Sequence, residues 1–242
     1  MKNKQIRIAK LISHFGFCSR RDAEKLILNG DVKINNKVFK EFYICRDLID
    51  TIKVKNKALT KKKTKVWILN KPVGYVCSNN EQFGQKSLFR LVPSHFPRVV
   101  SVGRLDINTD GLIILTNNPS LSSFLEDPVN KIERQYIVKV SGAVPNDLDK
   151  KVTNPLIING IIYRDVKIKP FEQKKDYNII KVKLFEGKNR EIRKILNYFN
   201  LKVKKLTRTN FGPFNLNKLE IGKLLEINNL KLKKKLISIK FK

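Results

Sequence analysis

Two periodicities of apolar residues occur in the first part of the chain. Residues 6–14 have apolar side chains at helical spacing and predict a short helix, and a second helix is expected after Ser19, a typical N-cap. The dipeptide at 29–30, Asn-Gly, is a typical helix end. Alternation then begins in DVKINNKVF, where the Asn-Asn pair at 35–36 predicts a hairpin turn. Roughly the first 55 residues therefore predict a small α/β unit.

From Val66 onward, short apolar runs predict strands. These runs are VWILN, VVSVG, LIILTN, RQYIVKVSG, IIYRDVKIK and NIIKVKLFEG. The segments VPNDLDKKV and NREIRKILNYFN suit helices, and the C-terminal KLKKKLISIKFK is expected to be a strand or a tail. Because strands and helices do not alternate regularly, the pattern predicts an α+β domain. The predicted division is 1–58 for the first domain, 59–65 for a basic linker and 66–242 for the second domain.

The charge of the chain indicates a polyanionic partner. Its 51 Lys and Arg residues outnumber 21 Asp and Glu residues, for a net charge of +30. Phosphates that such a surface neutralises release counterions, which favours nucleic acid as the partner. AT-rich coding explains the preference for Lys over Arg but not the shortage of acids. A membrane-surface protein would need an amphipathic helix with an aromatic face, which the sequence lacks.

Several other classes of protein are disfavoured. No apolar run approaches the ~18 residues of a membrane span, and the basic start is not followed by a signal-peptide core. The cysteines at 18, 45 and 77 form no CxxC pair, and the two histidines lie far apart. We therefore expect a cytoplasmic protein without a metal or other cofactor.

The polar loop GRLDINTDGL, residues 103–112, is the first candidate for chemistry. It joins two strongly apolar predicted strands, so that Asp106 lies at the rim of a sheet beside Arg104. The same loop resembles the beginning of a calcium-binding loop. Counting from Asp106, however, the twelfth position is Asn117 rather than the required Glu, and the flanks are strands.

Basic residues at two predicted helix N-termini are candidates for RNA binding. Arg20 and Arg21 begin the second helix, where backbone amides also attract phosphate. Arg190 and Arg193 share one face at the start of NREIRKILNYFN, where cations oppose the helix dipole, so an anion is expected nearby.

Five segments resemble, in the same order, those of the RsuA/RluB family of ribosomal RNA pseudouridine synthases. They are LNKPVGYVCS, VGRLDINTDGLIILTNN, ERQYIVKVSG, EGKNREIRKIL and LTRTNFGPFNLNKL. The segment IAKLISHFGFCSRRDAEKLILNGDVKIN is similar to the small S-four RNA-binding domain that commonly precedes this catalytic domain. The resemblance implies an RNA-modifying isomerase with a mixed, mainly antiparallel sheet, which needs no cofactor.

The resemblance also implies roles for individual residues. Asp106 would be the catalytic aspartate, Tyr136 would stack on the target base, and Arg193 would be the basic partner of Asp106. Lys71 matches the KPxG segment, with a structural or RNA-contacting role. The expected RNA-binding residues are Arg20, Arg21, Lys25, Lys71, Arg104, Arg190, Lys194 and Arg208. Glu191 departs from the family pattern, which mostly has Gln there.

The substrate is expected to be ribosomal RNA, and the protein a monomer that does not bind membranes. The GKNREIR and NFGPFNLNKL segments favour the large-subunit branch of the family. A small-subunit synthase and a non-catalytic RNA-binding assembly factor stay open as alternatives. A pure binder would gain nothing from a carboxylate facing phosphate, which favours the enzyme.

Overall fold

The protein is described by a computed structural model that covers residues 5–60, 62–79, 81, 84–152 and 154–241. It divides into two compact units. The first contains Met1–Lys65, His95–Val100 and Thr116–Ser122, and the second contains Val66–Ser94, Ser101–Leu115 and Ser123–Lys242. The predicted linker at 59–65 is thus grouped with the first unit.

The first unit packs two short helices on small antiparallel strands. Its elements are β1 (Ile6–Arg7), α1 (Ile8–His14), α2 (Arg20–Leu28), β2 (Val32–Ile34), β3 (Lys37–Val38), β4 (Tyr43–Ile44), a 3-10 helix (Arg46–Thr51), β5 (Ile52–Val54) and β6 (Lys57–Ala58). The side chain of Ser19 caps α2 by accepting from Asp22 N at 3.1 Å, as the sequence predicted. The hairpin predicted at 35–36 is also present, and both of its asparagines have positive φ.

The remaining elements lie in the second unit, with exceptions at three of them. They are β7 (Val66–Lys71), β8 (Tyr75–Val76), β9 (Lys86–Ser87), a 3-10 helix (Leu88–Leu91), β10 (Val100–Val102), β11 (Asp110–Thr116), α3 (Pro119–Glu126), a 3-10 helix (Pro128–Asn130), β12 (Arg134–Ser141), α4 (Leu148–Lys151), β13 (Leu156–Ile158), β14 (Ile161–Tyr163), β15 (Lys167–Gln173), β16 (Asn178–Leu184), α5 (Glu191–Tyr198), β17 (Lys202–Phe211), β18 (Phe214–Asn215), β19 (Leu224–Glu226) and α6 (Asn229–Ser238). Val100 of β10, Thr116 of β11 and the first half of α3 are grouped with the first unit.

A mixed sheet organises this unit. Its strand order is β15-β16-β12-β17-β11-β7-β19, and the pairing of β11 with β17 is parallel. The other pairs in this order for which the register is described, β15·β16, β12·β16, β12·β17 and β7·β19, are antiparallel. The prediction of an α+β fold with a mixed, mainly antiparallel sheet is confirmed.

Gly111 allows the close approach of β11 to β17. Its φ is +100°, and a Cβ atom there would lie 2.3 Å from the carbonyl oxygen of Arg208. Only glycine fits such a position without displacing backbone. This glycine is the second residue of β11, so it also fixes where the chain passes from the polar segment into the sheet.

The main core lies between the sheet and α5. Alternate residues of β12 are buried, and Ile192, Ile195 and Leu196 of α5 belong to the same cluster. This packing follows from the one-sided apolar pattern that predicted the helix. It also brings the first turn of α5 next to the loop that carries Asp106.

One local prediction was wrong, and two were confirmed only in part. KLKKKLISIKFK contributes to the helix α6 rather than a strand or tail, because Leu232 packs inside and Asn228 caps the helix. IIYRDVKIK forms two strands, β14 and β15, since the chain turns at Asp165 with positive φ. VPNDLDKKV forms only the four-residue helix α4.

Candidate active site

Asp106 lies in the loop between β10 and β11, as the sequence predicted. Its carboxylate is one-third exposed, and its Oδ2 atom lies 3.7 Å from Nη1 of Arg190 and 3.9 Å from Nε of Arg193. Within the loop, Thr109 N donates to Asp106 O at 3.0 Å and closes a tight turn. The carboxylate is therefore presented to solvent between two guanidinium groups.

Arg193 contacts the loop as well as the carboxylate. Its Nη2 atom donates to Asn108 O at 2.7 Å, which fixes the guanidinium against the loop backbone. Its buried Nε–H has no hydrogen-bond partner among the described residues, and Nε lies 3.9 Å from Oδ2 of Asp106. Catalytic hydrogen bonds are often long before substrate binds, so Nε–H of Arg193 is suited to form a shorter hydrogen bond with the Asp106 carboxylate when substrate is bound.

Burial lowers the pKa of Arg193, and the neighbouring Arg190 lowers it further, whereas Asp106 raises it. The ordinary pKa of a guanidinium group is so high that Arg193 stays a cation near neutral pH. Arg193 therefore supplies positive charge at the carboxylate under working conditions.

Tyr136 lines the same cleft as Asp106. It lies on the buried side of β12, is 8% exposed, and stands opposite Val182 and Arg208 on the neighbouring strands. We call this space the Asp106 cleft; it encloses about 80 Å³. Its lining residues are Arg104, Leu105, Asp106, Thr109, Tyr136, Leu184, Gly187, Lys188, Arg190, Glu191, Ile192, Arg193 and Leu206. An aromatic and aliphatic floor thus meets a cationic rim.

The structure therefore brings together the three residues predicted as catalytic. Asp106, Tyr136 and Arg193 come from a loop, a strand and a helix far apart in sequence. Arg104 and Arg190, predicted to bind RNA, lie at the same cleft and are exposed. Their roles stay predictions.

Lys71 does not fit an RNA contact, because its side chain is fully buried. Its ammonium group donates to the carbonyl oxygens of Thr109 at 2.7 Å, Pro72 at 3.0 Å and Asp106 at 3.3 Å. Burial lowers its pKa, while Cys77, Asp110 and Asp106 raise it. Lys71 therefore holds the loop of Asp106 through hydrogen bonds to its backbone.

The rest of the KPxG segment and its neighbour Cys77 also brace the loop. Gly74 N donates to Ile107 O at 2.9 Å, and Leu105 N donates to Cys77 Sγ at 3.3 Å. With Lys71 on this side and Arg193 on the other, the loop is held at several points of its backbone. These contacts explain why the KPxG segment at the end of β7, although far from Asp106 in sequence, is one of the motifs that occur together with the Asp106 loop.

Arg208 likewise does not fit an RNA contact. It is 2% exposed, its Nε donates to Leu112 O at 2.7 Å, and its guanidinium lies 5.0 Å from the centre of the Phe211 ring. Arg208 therefore joins β17 to β11 at the point where Gly111 lets the two strands approach.

Two buried charged residues near the cleft were not predicted. Arg134 donates to Phe185 O at 2.5 Å and to Glu186 O at 3.0 Å, so it holds the chain just before α5. Glu191 accepts from Lys188 N at 2.9 Å and so closes the turn that precedes α5.

Glu191 is a carboxyl group inside the cleft wall. It is 3% exposed, and its Oε1 atom has no hydrogen-bond partner among the described residues. Burial raises its pKa, although the contact with Lys188 N lowers it. A raised pKa favours the neutral acid, which resembles the Gln expected from the family pattern in shape and charge.

The other predicted RNA-binding residues are exposed. Lys194 lies on α5 but does not line the cleft, and Arg20, Arg21 and Lys25 lie on α2 of the first unit. No group of three or more potential metal ligands occurs among the described residues. No helix in the described part of the chain is long and apolar enough to cross a membrane.

Comparisons with known proteins agree with this site. A family model of RNA pseudouridylate synthases matches residues 65–198, and a model of the S4 domain matches residues 6–45. The chain belongs to the RNA pseudouridylate synthase family. It is therefore an isomerase that acts on RNA, and the resemblance to the RsuA/RluB type with an RNA-binding S4 domain is confirmed.

This synthase is similar to its relatives over nearly its whole length. It is 42% identical to an uncharacterized RNA pseudouridine synthase of Rickettsia felis over 94% of this chain and 99% of that protein. It is 31% identical to the ribosomal large subunit pseudouridine synthase B of Bacillus subtilis over 94% of both chains. A crystal structure of a pseudouridylate synthase superposes with a TM-score of 0.67 at 25% identity, covering 95% of this chain and 99% of that one.

Proposed function

We propose that this synthase converts one uridine of large-subunit ribosomal RNA to pseudouridine, with Asp106 as the catalytic group. The observation that carries the proposal is the partly exposed carboxylate of Asp106 in the Asp106 cleft, set between two guanidinium groups and beside Tyr136. The relatives from Bacillus subtilis and Buchnera aphidicola, both named ribosomal large subunit pseudouridine synthase B, support the choice of subunit.

The reaction requires one carboxylate and a pocket that holds the base. The bond between ribose C1′ and uracil N1 breaks, the base turns, and C1′ bonds to C5, which loses its proton while N1 gains one. Asp106 can attack the sugar or remove a sugar proton, and both routes are open to a carboxylate. The guanidinium groups of Arg190 and Arg193 lie 3.7 Å and 3.9 Å from its Oδ2 atom and supply positive charge beside it.

Tyr136 is proposed to receive the target base. Extruding a base from a helix costs a few kcal/mol, and stacking on an aromatic side chain returns about 1–3 kcal/mol. Arg104, Arg190, Lys194 and the basic residues of α2 are proposed to contact the phosphates of the RNA. We propose that the protein works in the cytoplasm as a monomer.

Mapping of pseudouridines in a strain that lacks the protein tests this proposal. One pseudouridine should disappear from large-subunit rRNA, the wild-type gene should restore it, and Asp106→Ala should not, although that variant still binds RNA. Loss of a small-subunit pseudouridine instead would replace the proposed substrate with its small-subunit alternative. An unchanged map of both subunits would refute an rRNA substrate.

A further inference from the structure

One face of the sheet is open where it is formed by β15, β16, β12 and β17. Successive side chains of a strand point to opposite faces, so the residues of β12 that alternate with Tyr136 lie on the side away from the Asp106 cleft. On this side, the neighbouring strands β15, β16 and β17 contribute mostly exposed side chains. Lysine is the most frequent residue there.

Lysines on this face stand directly opposite one another. Three cross-strand pairs consist of two lysines each, with one partner from each of two neighbouring strands. The pairs are Lys167 with Lys183, Lys169 with Lys181, and Lys139 with Lys205. We call these six residues the lysine face. Like charges directly opposite on a sheet are destabilising, so this arrangement works against the fold.

Acidic neighbours offset only part of this charge. Lys183 pairs with Glu133 at 3.3 Å, and Lys205 pairs with Asp110 at 3.3 Å. Within the described part of the chain, no ion pair involves Lys167, Lys169 or Lys181. The lysine face therefore keeps an excess of positive charge that an anionic partner would neutralise.

Aromatic side chains lie among these lysines. The ammonium of Lys181 is 3.5 Å from the centre of the Phe171 ring, and that of Lys139 is 3.5 Å from the centre of the Tyr177 ring. Phe171 is 56% exposed, although the exposure of an apolar phenyl ring to water is unfavourable. Lysines beside exposed rings are the combination that binds single-stranded nucleic acid, through phosphates and stacked bases.

We propose that the lysine face is a second RNA-binding surface, which holds a part of the substrate RNA remote from the target uridine. The inference rests on the proposed function, in which the substrate is RNA. It adds that this RNA must be large. A short stem-loop whose uridine enters the Asp106 cleft does not reach the opposite side of the sheet. A folded rRNA domain can contact both sides.

Charge-neutralising variants test this surface. The triple variant Lys167→Gln, Lys169→Gln, Lys181→Gln is compared with the matching triple Lys→Arg variant. The control is Lys231→Gln, Lys233→Gln, Lys234→Gln, which removes three exposed lysines of α6. Dissociation constants are measured over a series of KCl concentrations for two RNAs, a stem-loop with the target uridine and a whole transcribed rRNA domain.

The lysine-face Gln variant should bind the rRNA domain roughly tenfold or more weakly than wild type, with a salt slope smaller by about 2–3 units, one phosphate for each lost lysine. The Arg variant should restore both values, and binding of the stem-loop should not change. The Gln variant should melt at or above the wild-type temperature, because it removes opposed like charges.

An unchanged salt slope of the lysine-face Gln variant on the rRNA domain would overturn the proposal. So would an equal loss in the α6 control, since the effect would then come from net charge alone. Pseudouridine formation by the wild-type protein on the whole transcribed rRNA domain is measured in parallel. Its absence would refute the proposed function without affecting the binding comparison.

Discussion

Arg193 donates from Nη2 to the carbonyl oxygen of Asn108 at 2.7 Å, two residues beyond Asp106 in the same loop. Its Nε atom meanwhile lies 3.9 Å from the Asp106 carboxylate. One guanidinium thus fixes the backbone of the loop and faces the carboxylate that the loop presents. Arg190 lies as near to the carboxylate, but its side chain is 47% exposed against 15% for Arg193.

Arg193→Gln is therefore expected to reduce kcat far more than Arg190→Gln. Loss of Arg193 removes a mostly buried charge and a loop contact, so we expect kcat to fall by about 100-fold or more. Solvent screens the charge of Arg190, so we expect kcat of Arg190→Gln to fall by roughly tenfold or less. Single-turnover pseudouridine formation measures both. Equal losses in the two variants would show that burial and the loop contact do not matter.

Lys71→Met is expected to destabilise the protein rather than weaken its binding to RNA. Three carbonyl oxygens, including that of Thr109, lose a buried donor, so the free energy of unfolding should fall by about 2–4 kcal/mol. Urea unfolding measures this, with the exposed Lys194→Met as control. A direct phosphate contact would instead reduce the salt slope of RNA binding by about 1 in folded protein.

Gly111→Ala is expected to disrupt the pairing of β11 with β17. The added Cβ would lie 2.3 Å from backbone of Arg208, at a φ of +100°. We expect a loss of more than about 3 kcal/mol in the free energy of unfolding, or no soluble protein. Gly187→Ala is the control, because a Cβ there meets nothing within 4 Å. An equal free energy of unfolding for the Gly111→Ala and Gly187→Ala variants would contradict the close approach of β11 to β17.

Glu191→Gln is expected to stabilise the protein in a pH-dependent way. Burial raises the pKa of Glu191 in the folded state above its ordinary 4.5, so the wild type keeps its full stability below that pH and loses some as pH rises through the folded-state pKa. Glutamine stays neutral and still accepts from Lys188 N. The stability difference should therefore be small at pH 4 and should grow toward neutral pH.

Urea unfolding at a series of pH values measures this difference, with the exposed Glu172→Gln as a matched control. A difference that does not change with pH, or that shrinks as pH rises, would mean that Glu191 is not held in its neutral form.

The sequence predicted those elements whose pattern is local. Ser19 and the apolar stripe after it predicted α2 with its cap, and the one-sided pattern from Asn189 onward predicted α5. The strand β17 was not predicted, although it is central in the sheet. Its residues KVKKLTRTNF form a polar pattern because lysines occupy one face, and only pairing with β12 and β11 makes them a strand.

The site was predicted in part for the same reason. Motifs identified Asp106, Tyr136 and Arg193, which line one cleft. Lys71 and Arg208 were expected among the RNA-binding residues from the resemblance, with a structural role as the alternative for Lys71. Both turn inward instead, since the carbonyl groups they satisfy come from segments far away in sequence, which no local pattern records.

The single-turnover rate of purified Asp106→Asn on an rRNA fragment with the target uridine tests the central claim most directly. Asparagine keeps the shape but can neither attack the sugar nor take its proton, so the rate should fall by at least about 10³-fold, while the dissociation constant for RNA and the melting temperature stay near those of wild type. The exposed Asp149→Asn should retain full activity. An Asp106→Asn rate within tenfold of the wild-type rate would contradict the assignment of this carboxylate.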